Sequence, residues 1–166
     1  MRTVRTLGAV IFLWVGSGCA PPDEIDEEKA EGYRALPPLC LPCGDERNVG
    51  IVSRAQLDDV SSELSLRCGA SEEATSWRQN VDDIELDFEK EALVILWDYI
   101  GTQGTPALTV SSPSVGLLTA EIQWEVPAGP ARPVATAACY CLAVDKSTVN
   151  KVDVTKGGST VFSLTF

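Results

Sequence analysis

Ala92-Leu93-Val94-Ile95-Leu96-Trp97 is an unbroken apolar run. Its length suits a strand better than a helix, and having no polar side predicts a central strand buried on both faces. From residue 84 onward the hydrophobic period changes from about 3.6 to 2, so strands are expected to the end of the chain. After Gly101 and Gly104 turn the chain, residues 107–111 read as a returning strand. Residues 119–126 alternate cleanly, with Ala120, Ile122, Trp124 and Val126 on one face and Thr119, Glu121, Gln123 and Glu125 on the other, the mark of a half-buried strand. Residues 127–133 hold Pro127, Pro130 and Pro133 and are expected to be a loop. Residues 137–144 resume as a strand with Tyr140, Leu142 and Val144 on one side and Cys139, Cys141 and Ala143 on the other. Residues 149–154 and 159–166 flank Lys156-Gly157-Gly158, a hairpin turn in which glycine takes positive φ without steric cost.

Upstream the pattern is helical. Ser53 and Gln56 have the spacing of a capping box, and Leu57, Val60 and Leu64 follow on one stripe, so one helix is expected over about 54–64, with 67–83 polar and irregular. The expected fold is therefore α+β and mainly β: an antiparallel sheet or small sandwich with one N-terminal helix packed on it. No internal repeat occurs.

The chain has 166 residues, 45% apolar and 22% charged, the balance of a globular protein with one core. It contains no histidine. That removes Ser/His/Asp and Cys/His nucleophile systems, imidazole zinc sites and the commonest general base near neutral pH. No Ser-x-x-Lys pattern and no phosphate-cradling glycine loop takes their place. The expectation is a protein that is not an enzyme and needs no cofactor. The net charge of −11 makes nucleic acid a poor partner. The acidity lies in the front half: residues 20–98 carry 20 acids and 7 bases, whereas 99–166 carry 4 of each.

The N-terminus reads as an address. Arg2 and Arg5 precede an apolar run over residues 7–15, too short to span a bilayer, and Gly16-Ser17-Gly18-Cys19 supplies small residues before a cysteine. Residues 1–18 are read as a signal peptide. Residues 16–19 resemble the bacterial lipoprotein box, in which the cysteine is diacylated and becomes the mature N-terminus, although Gly16 stands where an aliphatic residue is usual. Cleavage after Gly18 or Ala20 without lipid is the alternative. Ala20 after the cysteine is the sorting signal of outer-membrane lipoproteins by the same resemblance. Residues 23–31, with six acids and one lysine, read as an extended spacer. Residues 19–39 are thus taken as lipidated cysteine and tether, and 40–166 as a single β-rich domain.

In an exported chain the remaining cysteines point to disulfides before metals. Cys139 and Cys141 sit on one strand face and are poorly placed to bridge each other. The expected arrangement staples the Cys40-Leu41-Pro42-Cys43 segment onto that strand, leaving Cys68 odd or displacing one of these. Cys40-x-x-Cys43 has thioredoxin spacing but follows Pro37-Pro38 and runs into Gly44, not into a helix. With Cys139 and Cys141 it also offers four thiolates for zinc, a reading that an oxidising compartment disfavours. Asp83, Glu85 and Asp87, with Glu89 and Glu91, fall at alternate positions and would crowd one strand edge, a weak calcium candidate without the glycine turn of an EF-hand.

Residues 84–95, Ile84-Glu85-Leu86-Asp87-Phe88-Glu89-Lys90-Glu91 and then the apolar run, resemble the motif that opens the C-terminal domain of the PrcB-like family, named for an accessory lipoprotein of a bacterial surface protease complex. Asp87, Phe88 and Lys90 carry the likeness, which extends over about 48–146. The family's paired glycines are here Gly101 and Gly104, and Ala138-Cys139-Tyr140-Cys141 stands where a Pro-aromatic-His run is usual. The resemblance implies a small β-rich binding domain on an envelope lipoprotein, with a surface or envelope protein, a protease in that family, as partner. The expectation is thus an outer-membrane lipoprotein that binds or stabilises another envelope protein; the alternative is a cation- or small-ligand-binding periplasmic lipoprotein using the acidic 83–91 edge.

Overall fold

The structure is a computed structural model and describes residues 32–69, 71–130 and 135–166; Cys19, the signal-peptide stretch and the acidic stretch 23–31 lie outside the described residues. The fold is α+β and mainly β, as expected, but with two helices and two sheets. In chain order the elements are β1 (Tyr33–Leu36), β2 (Val49–Ile51), α1 (Arg54–Cys68), α2 (Glu72–Asp82), β3 (Glu91–Ile100), β4 (Thr105–Ser114), β5 (Leu117–Glu125), β6 (Thr136–Asp145), β7 (Lys151–Lys156) and β8 (Ser159–Thr165). The first sheet has the order β1-β6-β3-β2 and the second β4-β5-β7-β8. The first is antiparallel throughout; in the second, β5 and β7 run parallel.

The apolar run of β3 explains the layering. Leu93 and Ile95 face the helices, joined by Val49, Ile51, Cys141 and Ala143 beneath Leu57, Leu64, Trp77 and Val81. Val94 and Leu96, with Leu142 and Val144, face the other way onto Leu108, Leu118, Ala120, Ile122, Val152 and Val154 of the second sheet. The first sheet is thus the middle of three layers. Each fully buried Leu or Ile there contributes about 1.5–3 kcal/mol of transfer free energy.

Local signals place several elements. Ser53 Oγ accepts the Gln56 N–H at 3.2 Å while Gln56 Oε1 accepts the Val52 N–H at 2.8 Å, the reciprocal capping box. Helix α1 runs a full turn beyond Leu64, to Cys68, and ends at Gly69 with φ +64°. Helix α2 occupies the stretch read as irregular: Ala74, Trp77 and Val81 lie at helical spacing and are buried, and Glu72 and Glu73 complement the positive N-terminal end. Gly157 and Gly158 turn the last hairpin with φ +58° and +78°. The parallel pair is set where β6 ends. Asp145 Oδ1 accepts the Ser147 N–H at 2.8 Å, and Gly116 C=O, at the β4–β5 tip, accepts the N–H groups of Asn150 and Lys151 at 2.7 and 3.0 Å. The chain is thereby handed from one sheet to the other.

Two boundaries differ from expectation. Tyr33–Leu36, inside the stretch read as tether, forms β1 and pairs with β6 from Val144 to Cys141. Residues 83–90, read as extended, are turns: Ile84 and Glu85 donate back to the end of α2, and Glu85 has φ +55°. The alternation of Ile84, Leu86 and Phe88 comes from packing a helix exit, not from a pleat. Among the described residues no helix is long and apolar enough to cross a membrane.

Candidate functional site

The turn at 83–90 removes the proposed carboxylate edge. Asp87 accepts from the Glu89 N–H at 3.1 Å and pairs with Lys90 Nζ at 2.8 Å, while its own N–H donates to Glu91 Oε2 at 3.3 Å. Glu91 is gripped by Arg34 Nε at 3.0 Å, and Asp83 accepts from Gln79 at 2.9 Å. The Phe88 ring lies under the Arg54 guanidinium, 5.5 Å from its centroid, and its carbonyl accepts from Lys146 Nζ at 2.5 Å. Asp87, Phe88 and Lys90 therefore fasten α2 to β3. Asp83, Glu85 and Asp87 do not converge: among the described residues, the group of such side chains whose ligating atoms all lie within 4.8 Å of one another is Cys43, Cys68 and Glu73. Its two sulfurs are bonded to each other.

The disulfides are Cys40–Cys139 and Cys43–Cys68, with Cα separations of 5.6 and 5.5 Å, and Cys141 is a buried thiol. The segment 40–43 is stapled to the Cys139 strand as expected, and of the two outcomes open to Cys68 the second holds: it displaces Cys141. The longer α1 brings Cys68 to the turn at Cys43, where φ is +58°, while Cys141 lies below Leu39, whose N–H donates to its sulfur at 3.1 Å. Cys40 and Cys43 each bridge elsewhere, so the thioredoxin-like and four-thiolate readings lose their geometry.

Charge pairing clamps the helix layer. Asp45, 4% exposed, meets Arg47 Nε and Arg67 Nη1, both at 3.1 Å, and these arginines share Glu63 at 2.8 and 3.2 Å. Asp82 joins Arg54 and Arg78 at 2.5 and 2.9 Å, and Arg78 reaches Asp58 at 2.7 Å. Hydrogen bonding from Arg47 holds the Glu63 carboxyl below its ordinary range. Partial burial pushes Asp82 up, but the hydrogen bonds and charges of Arg78 and Arg54 outweigh it and the net shift is downward. A depressed folded pKa stabilises above the unfolded value, about 4, and that stabilisation is lost as pH falls through the folded pKa. The melting temperature is expected to fall below about pH 4, and less steeply in high salt because these pairs are largely exposed. Thermal melts from pH 6 to 2.5 at two ionic strengths check this; a flat profile would contradict the clamp.

An apolar-lined concavity lies at the open edge of the first sheet. Strand β2 pairs only with Leu93–Ile95 of β3, so β3 runs on past it. Asn48 Oδ1 takes the Trp97 N–H at 2.8 Å, in place of a strand carbonyl. Lys156 Nζ meets Asp98 Oδ1 at 2.5 Å and the Tyr99 carbonyl at 3.4 Å, and stands 5.7 Å from the centre of the Tyr99 ring. Trp124 Nε1 donates to the other Asp98 oxygen at 2.8 Å. These side chains blunt the edge against further strand pairing. What they leave is a groove of about 240 Å³ with the Trp97 and Tyr99 rings 5.3 Å apart, Ile122 and Val154 at its base and Val161 on the rim. Tyr99 and Val161 are more than half exposed. The groove offers aromatic and aliphatic surface beside a fixed ion pair, a binding chemistry. The sequence signal for it was the Trp97-x-Tyr99 alternation where continuous burial of β3 stops.

The chain matches no protein-family model, no curated protein and no solved structure.

Proposed function

We propose that this chain is a lipid-anchored, non-enzymatic envelope protein whose β-rich domain binds another envelope or surface protein through the groove at Trp97, Tyr99 and Val161. The observation that carries the reading is the aromatic pair of half-buried Trp97 and exposed Tyr99 at a blunted sheet edge. Trp and Tyr dominate binding energy at protein interfaces, and here they are held rigid by strand β3 and by the Asp98–Lys156 pair. The resemblance to the PrcB-like family makes a protease the partner class to look for first.

The cysteines support the anchor. Two disulfides and the buried Cys141 thiol account for every cysteine from residue 40 onward. Lipidation of Cys19 therefore strands no exposed thiol, and the parity of six cysteines no longer favours a free secreted form. The cation-binding alternative loses its strand edge, because Asp87 is engaged by Lys90 and a backbone donor, Glu91 by Arg34 and Asp83 by Gln79.

A photo-crosslinking amino acid placed at Tyr99, in cells expressing the full chain, tests the reading. A discrete adduct is expected from position 99 and none from Val115, fully exposed at the remote β4–β5 tip. Adducts from both positions, or from neither, would count against the groove. Mass analysis of the mature N-terminus checks the anchor: a diacylated Cys19 is expected, and an unmodified N-terminus after Gly18 or Ala20 would remove it.

A further inference from the structure

Where β3 runs on past β2 it carries an acid between two aromatics, Trp97-Asp98-Tyr99. Trp97 and Tyr99 point to one side of the strand and Asp98 to the other. At an open edge a single group can reach both sides, and Lys156 does so. Its Nζ bonds Asp98 Oδ1 at 2.5 Å, makes a long contact of 3.4 Å with the Tyr99 carbonyl and stands 5.7 Å from the centre of the Tyr99 ring. Carboxylate, carbonyl and ring face each attract a cation. The chain therefore fills a cation seat with a side chain of its own.

That seat suits a different cation better. An ammonium is a point charge, whereas a guanidinium is a planar fork that pairs with a carboxylate through two bonds and stacks on an aromatic face. Asp98 is ready for it: Trp124 Nε1 holds its other oxygen at 2.8 Å, which keeps the carboxylate oriented when Lys156 leaves. The Asp98 side chain is 14% exposed and that of Lys156 51%. The acceptor is thus fixed and the present occupant can swing into water. Glu46, exposed on the lining of the same groove, supplies a second carboxylate.

We infer that the groove is a seat for a guanidinium, an arginine side chain presented by the partner, and that Lys156 is a built-in competitor which the arginine displaces. The inference rests on the groove being where the partner docks and names what the partner places there. One cation replaces another on the same carboxylate, so the exchange leaves no partly buried charge unpaired. The arginine gains the second bond and the stacking that Lys156 lacks. The net charge of −11 draws a basic segment toward this surface and speeds its arrival.

Titration of the full-length, nitrogen-labelled protein in detergent with N-acetyl-arginine amide, read at the tryptophan indole N–H resonances, tests the seat. Saturable shifts are expected at Trp97, which lines the groove, and at Trp124, which is bonded to Asp98. None is expected at Trp77, whose indole donates to the Leu39 carbonyl in the helix layer. N-acetyl-citrulline amide, of the same shape without the charge, is expected to shift neither Trp97 nor Trp124. Lys156→Met is expected to tighten arginine binding about two- to sixfold, the factor by which an exposed ion pair of ordinary strength keeps the seat occupied. Lys156→Gln serves should the Met variant not fold. Equal shifts from citrulline, no shift from arginine, or unchanged or weaker arginine binding without Lys156 each overturn the inference. The photo-crosslink at Tyr99 separates its failure from that of the docking site. An adduct without an arginine-specific shift keeps the groove and removes the guanidinium, whereas an arginine-specific shift without an adduct keeps the seat and removes the protein partner.

Discussion

Replacing Cys40 and Cys139 together by serine is expected to lower the unfolding free energy by about 4–5 kcal/mol. The bridge joins residues 99 apart in sequence, and closing a loop of about 100 residues in the unfolded chain removes conformational entropy worth about 4.7 kcal/mol at 25 °C. A domain of this size has about 5–15 kcal/mol in total. The loss therefore takes a third or more of its stability and lowers the melting temperature by about 10–20 °C. The same substitution at Cys43 and Cys68, whose separation is 25, should cost about 3–3.5 kcal/mol. Urea denaturation of both double variants checks the size and the order. A Cys40/Cys139 variant within about 1 kcal/mol of wild type would show that the two-sheet core holds the chain ends together without the staple.

Tyr99→Ala is expected to weaken partner capture at least about tenfold, and Trp97→Ala more, because truncating an interface aromatic commonly costs about 2 kcal/mol or more of binding. Stability should respond differently at the two positions. Tyr99 is 52% exposed, so its removal should change the unfolding free energy by less than about 1 kcal/mol. Trp97 is half-buried, and its removal should cost more because it takes apolar contact out of the fold. Tyr99→Ala is thus the cleaner probe. Loss of capture with an unchanged melting temperature assigns Tyr99 to binding, whereas retained capture removes the groove from the account.

Local signals carried most of the fold. The run over residues 92–97, the alternation of β5 and β6, the Lys156-Gly157-Gly158 turn and the Ser53–Gln56 box each depend on a few neighbours, and each forms as read. Where distant parts of the chain decide, the reading stopped. Helix α2 has only Ala74, Trp77 and Val81 on its buried face, too sparse a stripe to stand out from polar neighbours. The alternation at 84–88 matches a strand by pattern, but the helix before it and the positive φ of Glu85 make it a turn. Strand β1 is four residues long and exists through its pairing with β6, more than a hundred residues away. The choice of Cys68 over Cys141 for Cys43 likewise depends on where α1 ends. The groove had the weakest signal, because it arises from the mismatch between a three-residue β2 and a ten-residue β3.

On the proposed function, this domain works by holding another envelope protein through the β3 edge. Affinity purification of the full-length chain from crosslinked, detergent-solubilised envelopes, run beside the Tyr99→Ala variant and followed by mass spectrometry, tests it most directly. One companion is expected in near-stoichiometric amount with the wild-type chain, and its depletion with the variant. Recovery of the wild-type protein alone, or of the same companion in equal amount with both, would contradict it.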